Sequence, residues 1–284
     1  MSAPRVSVVI PAYNNAAYLI DTLESVLAQD YDDFEVIVAD HSSTDGTAAL
    51  LQRYAEHPRV RLLTTEAGGG ALRNWNRVSQ AATGELLKLV CGDDLLVPTA
   101  LSQQVAAFDA HPTAVLVAAQ RDIVDADGRP IVRGRGLAGL KGLVTGREGA
   151  RRAVRVGSNI FGEPACVLVR RAALERVGWW NSEFPYLIDQ ASYIALMLDA
   201  DIVALPVTLA AFRVSAGQWS VALARQQTAQ AQNFHRALRA QHPTLLSTGD
   251  VRLGNARVVL MALIRRATYL WLRIPSKKPG TAAG

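Results

Sequence analysis

Cysteine is almost missing from this chain: Cys91 and Cys166 are the two in 284 residues, and no C-x-x-C pair occurs. A disulfide scaffold and a cysteine-ligated zinc site are thereby excluded, and two free thiols suit a reducing compartment. Met1 to Arg5 leads straight into a strand-like segment without a charged-then-apolar leader, so no signal peptide is expected. Around Gly68-Gly69-Gly70 neither a G-x-x-x-x-G-K-[ST] nor a G-x-G-x-x-G spacing is found, which argues against a P-loop or a dinucleotide fingerprint there. Acidic residues are absent from 251–284, where Arg252, Arg257, Arg265, Arg266, Arg273, Lys277 and Lys278 supply seven positive charges. Removing those seven from the net charge of +5 leaves the first 250 residues at −2. No basic stripe with interleaved aromatics remains, so a nucleic-acid partner is not expected.

What is present suits a large α/β domain. Half of the residues are apolar and 19% are charged, ample for a buried core and unlike a disordered chain. Strand and helix signals alternate through the first hundred residues: strands at 6–10, 34–39, 60–64 and 86–90, and helices from Asn15 (a candidate N-cap), over 47–57 and over 73–82. Such alternation implies parallel βαβ units with helices on both faces. Beyond Pro98 the pattern loosens into short strands at 115–119, 123–124, 166–170, 202–205 and 209–214, with a helix over 190–198 preceded by Asp189. The glycine-rich, basic stretch 133–149 reads as a mobile loop or a surface linker. From about residue 223 the chain reads as helical.

Chemistry collects at the ends of the expected strands: Pro11-Ala12-Tyr13-Asn14, the run Asp40 to Thr47, Ala71-Leu72-Arg73-Asn74, and Asp93-Asp94 ahead of Pro98. Adjacent carboxylates leaving a buried strand are costly unless a cation or polar ligand satisfies them. They can also be read as a solvated turn capping the helix after Pro98.

These four segments, in this order, resemble the nucleotide-sugar half of the inverting family 2 glycosyltransferases of the GT-A fold, and the resemblance extends to about residue 220. It implies a Rossmann-like sheet over 1–98, a mixed sheet in an acceptor half over 99–222, and a C-terminal helical extension over 223–284. Pro11, Ala12, Tyr13 and Asn14 would then wall the base, and Asp40 would accept the imide N–H of uracil or thymine. Arg73 would lie near base or phosphates; its alternative is a surface salt bridge. Asp94 would hold Mg2+ or Mn2+, with Asp93 beside it toward the ribose or sugar. Cys91 stands where a further aspartate is common, and a thiol suits packing better than such an ion. Asp45 is expected to hold its loop, and His41 to be exposed.

On the acceptor side the resemblance places the general base at Asp189, a position equally suited to cap the following helix. Its usual acidic neighbour is Ile188 here. Glu163 would line the acceptor site. A histidine that helps hold metal and diphosphate in relatives is replaced by Ser215, and Arg213 or a residue within 218–220 would supply that contact. The implied activity is transfer of a sugar from a UDP- or dTDP-sugar to a hydroxyl of a glycan or glycolipid, in the cytoplasm or at the inner face of the plasma membrane. Two rivals are a nucleotide-sugar-binding protein without catalysis and a nucleotidyltransferase; Pro11–Asn15 lacks the glycine-rich basic loop the latter usually carries. The segment 251–278 suits a basic helix on an anionic membrane or a helix packed on the domain.

Overall fold

The computed structural model describes residues 3–181, 183–214 and 226–272, with side chains through Ile264. The sheet begins with four parallel strands, β1 (Val6–Ala12), β2 (Phe34–Asp40), β3 (Val60–Thr64) and β4 (Leu86–Leu89), in the order β3-β2-β1-β4. β1 is buried along its whole length, as a central parallel strand covered on both faces must be. Its one polar side chain, Ser7, donates to Glu35 Oε1 at 2.6 Å and accepts from the Gly84 N–H at 2.8 Å. The crossovers carry α1 (Leu19–Leu27), α2 (Thr47–Leu51) and α3 (Gly70–Gln80).

The second half of the sheet is mixed. It adds β5 (Leu95–Leu96), β6 (Ala114–Val124), β7 (Pro130–Arg135), β8 (Gly142–Thr145), β9 (Val167–Arg170) and β10 (Asp201–Arg213). The order continues β4-β9-β6-β10-β5, with β7 on β6 and β8 on β10. β10 runs parallel to β6; β9, β5, β7 and β8 are antiparallel to their partners. The helices here are α4 (Ala100–Ala110), α5 (Gly146–Val156), α6 (Arg171–Arg176) and α7 (Ile188–Met197), followed by α8 (Gln227–Gln241) and α9 (Thr248–Leu272).

Several local expectations change. The two strands at 202–205 and 209–214 are one strand, β10, whose register to β6 shifts between Leu205 and Thr208. Pro206 interrupts there, since it cannot donate to a ladder. The pieces at 115–119 and 123–124 likewise merge into β6. The stretch 133–149 is not a loop: it holds the end of β7, a 3-10 turn (Leu137–Gly139), β8 and the start of α5. Its G-x-G-x-x-G spacing at 134–139 falls on an edge strand and that turn, not on the strand-to-helix turn of a dinucleotide site. Asn15 does not cap α1; its Oδ1 accepts from Tyr13 N at 2.8 Å and its carbonyl accepts from Tyr18 and Leu19 N–H groups. Helix α2 stops at Leu51 and passes into a 3-10 turn, Gln52–Tyr54.

Helix α9 docks on both α5 and α8. Gly254 sits where a Cβ would come within 2.3 Å of the Val154 carbonyl, so only glycine permits this approach of α9 to α5. Asp250, 3% exposed, accepts from Arg151 Nε at 3.0 Å and Arg155 Nη1 at 2.8 Å and fastens the same two helices.

Candidate active site

The carboxyl ends of β1, β2 and β4 lie together, with Ala12 opposite Asp40 and Val9 opposite Leu89. From β1 the chain builds β2 and β3 on one side and then places β4 on the other, and open α/β sheets bind ligands at such a reversal. Asn74 fixes the first two ends. Its buried amide donates to the Ala12 carbonyl at 3.2 Å and the Ala39 carbonyl at 3.0 Å, and its Oδ1 accepts from Thr65 Oγ1 at 2.6 Å.

Asp40 is 8% exposed. Its Oδ2 accepts from Ser43 N at 3.2 Å, while its Oδ1 is buried without a hydrogen-bond partner. Asn14, at φ 49°, ties the neighbouring loops by donating its N–H to Ser43 Oγ at 2.9 Å and accepting from Thr44 N at 2.9 Å. Asp45 holds the same loop through Thr47 and the Ala16 N–H. Pro11 and Ala12 are buried in the strand end, whereas Tyr13 is 58% exposed, its ring 5.8 Å from that of His41. His41 is not exposed: its N–H donates to the Ala12 carbonyl and its Nε2 lies 2.9 Å from the Gly68 carbonyl, which draws the ring inward. Arg73 is exposed at the start of α3, paired with Glu66 at 2.7 Å and donating to the Ala67 carbonyl at 3.0 Å.

Past β4 the chain turns sharply, with Asp94 N donating to the Cys91 carbonyl at 3.0 Å. Asp94 is fully buried. Its Oδ1 accepts from Arg213 N at 3.2 Å, and its Oδ2 has no hydrogen-bond partner. Burial, then the charges of Asp93 and Glu163, raise the Asp94 carboxyl well above the usual range. Arg213 is 3% exposed. Its guanidinium donates to the carbonyls of Asp93 at 3.1 Å and Ala126 at 2.8 Å and stacks over Tyr18 at 4.6 Å. These contacts make it a brace behind the aspartate turn. Ser215 and 218–220 lie outside the described residues.

The residues expected on the acceptor side come from separate parts of the chain. β6 contributes Arg121, which is buried, ion-paired with Glu163 and donates to the Arg135 carbonyl at 3.3 Å. Burial works against its charge, but Glu163, Cys166 and Asp189 together more than offset this and raise the guanidinium above its ordinary range. Asp189 is not an N-cap: α7 begins at Ile188 after the cap residue Leu187, and Asp189 lies in the first turn. Its Oδ1 accepts from Gln190 N at 2.7 Å and its Oδ2 from Asn159 Nδ2 at 2.8 Å. Burial raises this carboxyl to about 7, with the Glu163 charge adding to the rise and the two hydrogen bonds opposing it. Cys91 is pushed up by burial and then by Asp94, Asp93, Asp189 and Glu163, so these four carboxylates share one electrostatic neighbourhood.

Arg121, Asn159 and a fully buried Lys88 are absent from the sequence reading, and Asn74 enters it only as the end of a motif, without a task. Lys88 donates to Gln104 Oε1 at 2.7 Å, and Gln104 donates to the Cys166 carbonyl at 2.9 Å, joining the strand of the aspartates to the loop of Glu163. Only Lys88 left a signal, a charge inside an apolar run.

Among the described residues no cluster of three or more His, Cys, Asp or Glu is arranged around a metal position. Two adjacent carboxylates, one with a buried oxygen lacking a partner, nevertheless fit a Mg2+ or Mn2+ ion whose remaining ligands are phosphate oxygens and water. The half-buried thiol of Cys91 does not belong to that donor set.

The family model described as glycosyl transferase family 2 matches residues 7–178. The chain belongs to glycosyl transferase family 2. An uncharacterized protein of Mycobacterium tuberculosis is 31% identical to this family 2 chain over 219 residues, 75% of this chain and 68% of that protein. Two further curated relatives are matched over 14% and 40% of their own length, so the chain spans less than half of each. TarS of Staphylococcus aureus, residues 1–349 solved with UDP-GlcNAc, superposes with a TM-score of 0.70 at 20% identity, covering 96% of this chain and 77% of that one. A mannosyltransferase from Pyrobaculum calidifontis, solved with GDP-Man and Mn2+, gives 0.62 at 21% identity, covering 97% and 82%. At these identities the likeness speaks for the fold, which is of the GT-A kind.

Proposed function

We propose that this family 2 chain transfers a sugar from a UDP- or dTDP-sugar to a hydroxyl of a glycan or lipid-linked acceptor, with inversion at the anomeric carbon. One observation carries the reading: the ends of β2 and β4, on either side of β1, each present a buried carboxylate oxygen without a partner, Asp40 Oδ1 and Asp94 Oδ2. Such an oxygen is costly unless a ligand completes it. An imide N–H answers the first, and a cation carrying a diphosphate answers the second. The UDP-GlcNAc complex of the fold relative TarS supports a uridine donor.

Each residue then has a task. Asp40 reads the base beside Pro11 and Ala12, with the open ring of Tyr13 and the loop held by Asn14 at the rim. Arg73 can turn from Glu66 to an anionic donor, since its ion pair is exposed and weak. Asp94 and Asp93 would hold Mg2+ or Mn2+, which when bound offsets the charge gained by the departing diphosphate. Arg213 keeps that turn in place from behind. Asp189 accepts the proton of the acceptor hydroxyl as the oxygen attacks C1, and no covalent intermediate is needed. Glu163, partly exposed beside it, orients the acceptor. The free thiols of Cys91 and Cys166 suit a cytoplasmic setting.

The deciding experiment is thermal stabilisation by UDP-, dTDP- and GDP-sugars with and without Mn2+, followed by assignment of the product anomer by NMR. Stabilisation by the pyrimidine donors that grows with Mn2+, and an inverted product, are expected. Equal response to GDP-sugars would refute a uridine or thymidine donor, and indifference to the metal would refute the role of Asp94.

A further inference from the structure

We propose that α9 docks this protein on an anionic lipid surface through the face opposite its contacts with α5 and α8. The helix is 25 residues long, and its inward side, Val251, Gly254, Val258 and Ala262, is buried. At about 100° per residue a second stripe falls on the far side: Val259, Leu260, Leu263 and Ile264. These side chains are 43%, 55%, 56% and 49% exposed, and they are half of the exposed large hydrophobics among the described residues. Four such residues in consecutive turns of one helix form a patch of the kind that covers a partner or enters an interface.

Charge says which. Helices α5, α8 and α9 pack together, and their described surface carries exposed Arg147, Arg151, Arg152, Arg155, Arg236, Arg239, Arg252 and Arg257. Against these stand only Glu148 and Asp250, and Asp250 is buried between Arg151 and Arg155. The sequence continues with Arg265, Arg266, Tyr269, Trp271, Arg273, Lys277 and Lys278 and no acidic residue. An apolar stripe framed by arginines, with tyrosine and tryptophan following, is the make-up of a helix lying in the plane of an anionic membrane. A second basic copy would be repelled. No helix among the described residues is long and apolar enough to cross a membrane.

The test is co-sedimentation of the full chain with vesicles of phosphatidylglycerol and phosphatidylcholine in about equal parts, and with phosphatidylcholine alone. Binding to the anionic vesicles that weakens with added salt is expected, along with loss on the order of tenfold or more in a Leu260→Ser/Leu263→Ser double variant. Both side chains are exposed, so that variant should keep its circular dichroism, its melting temperature and its stabilisation by donor nucleotide. Such intact donor binding separates this proposal from the reading of the active site. No sedimentation with anionic vesicles would overturn it, as would equal binding to the neutral ones. A lipid-free dimer that the double variant dissociates would overturn it too, assigning the stripe to a second copy.

Discussion

Asn159 Nδ2 lies 2.8 Å from Asp189 Oδ2 and 2.8 Å from the Gly162 carbonyl, so a single amide sets the orientation of Asp189 and ties it to the loop that carries Glu163. With one oxygen held by Asn159 and the other by Gln190 N–H, the free lone pairs of Asp189 have a fixed direction. Asn159→Ala should lower kcat while leaving donor affinity unchanged, and should move the rising limb of the pH–rate profile upward by about one unit or less, because a hydrogen bond that favours the charged carboxylate is lost. Asp189→Asn should cost roughly 10²–10⁴ in kcat. Steady-state rates across pH, beside donor binding by calorimetry, check both.

The raised carboxyl of Asp189 also sets a pH dependence of opposite sign for activity and stability. As a base it must be ionised, so the rate should climb as pH passes about 7. The folded chain holds this proton more tightly than the unfolded one, whose group titrates near the ordinary 3.8. The stabilising contribution is therefore complete below about 3.8 and is lost as pH rises through about 7. Asp189→Asn should gain melting temperature over the parent at pH 8 and little at pH 5. An equal difference at both pH values would contradict this.

Asp40→Asn keeps the shape of the side chain but removes the charge and presents an N–H where the imide N–H needs an acceptor. Affinity for UDP should fall on the order of tenfold or more, with discrimination between UDP and CDP reduced. The apo protein should hold or gain stability, since a buried carboxylate oxygen without a partner is removed. Titration calorimetry and a melting scan decide the two parts.

For Asp94 the readout is the metal. Asp94→Asn should abolish the extra stabilisation that Mn2+ adds to UDP binding, and Cys91→Ser should leave it intact. A variant at Asp94 that retains the full Mn2+ effect would move the ion elsewhere.

Asp250 provides a check on the helical end of the fold. Burial alone would raise its carboxyl, but the N–H and hydroxyl of Ser247 and the Arg151 guanidinium bring it down to about 2. Its contribution is present above the unfolded value and is lost as pH falls through about 2. Both arginines are about half exposed, which weakens the pair, so Asp250→Ala should cost about 1–3 kcal/mol. Urea unfolding at pH 7 measures it, and the loss should shrink at pH 2.

The donor side was readable because its information is local. Apolar runs gave β1, β2 and β4, and each motif sits within a few residues of a strand end, so Asp40 and Asp94 stand out by position, while the tasks expected of them come from the resemblance. The acceptor side depends on distant pairs: Arg121 meets Glu163 across 42 residues and Asn159 meets Asp189 across 30. No single segment announces such a pair. Helix α5 was legible in principle, since Thr145 accepts from Glu148 N at 3.2 Å in the T-x-x-E arrangement of a capping box, but the surrounding glycines masked the signal. Those glycines serve edge strands: Gly134, Gly136, Gly139 and Gly142 all have positive φ, at the bends between short segments.

Asn74 binds the last carbonyl of β1 to that of Ala39 and so would make the floor beneath a bound base a rigid surface before any ligand arrives. A rigid floor cannot adapt to the wrong base. Cytosine, lacking the imide proton, would leave Asp40 Oδ1 desolvated and still unanswered, and the protein could not relax to relieve it. Selectivity at this end of the site would then come from the cost of admitting a misfit, more than from the strength of the correct contact.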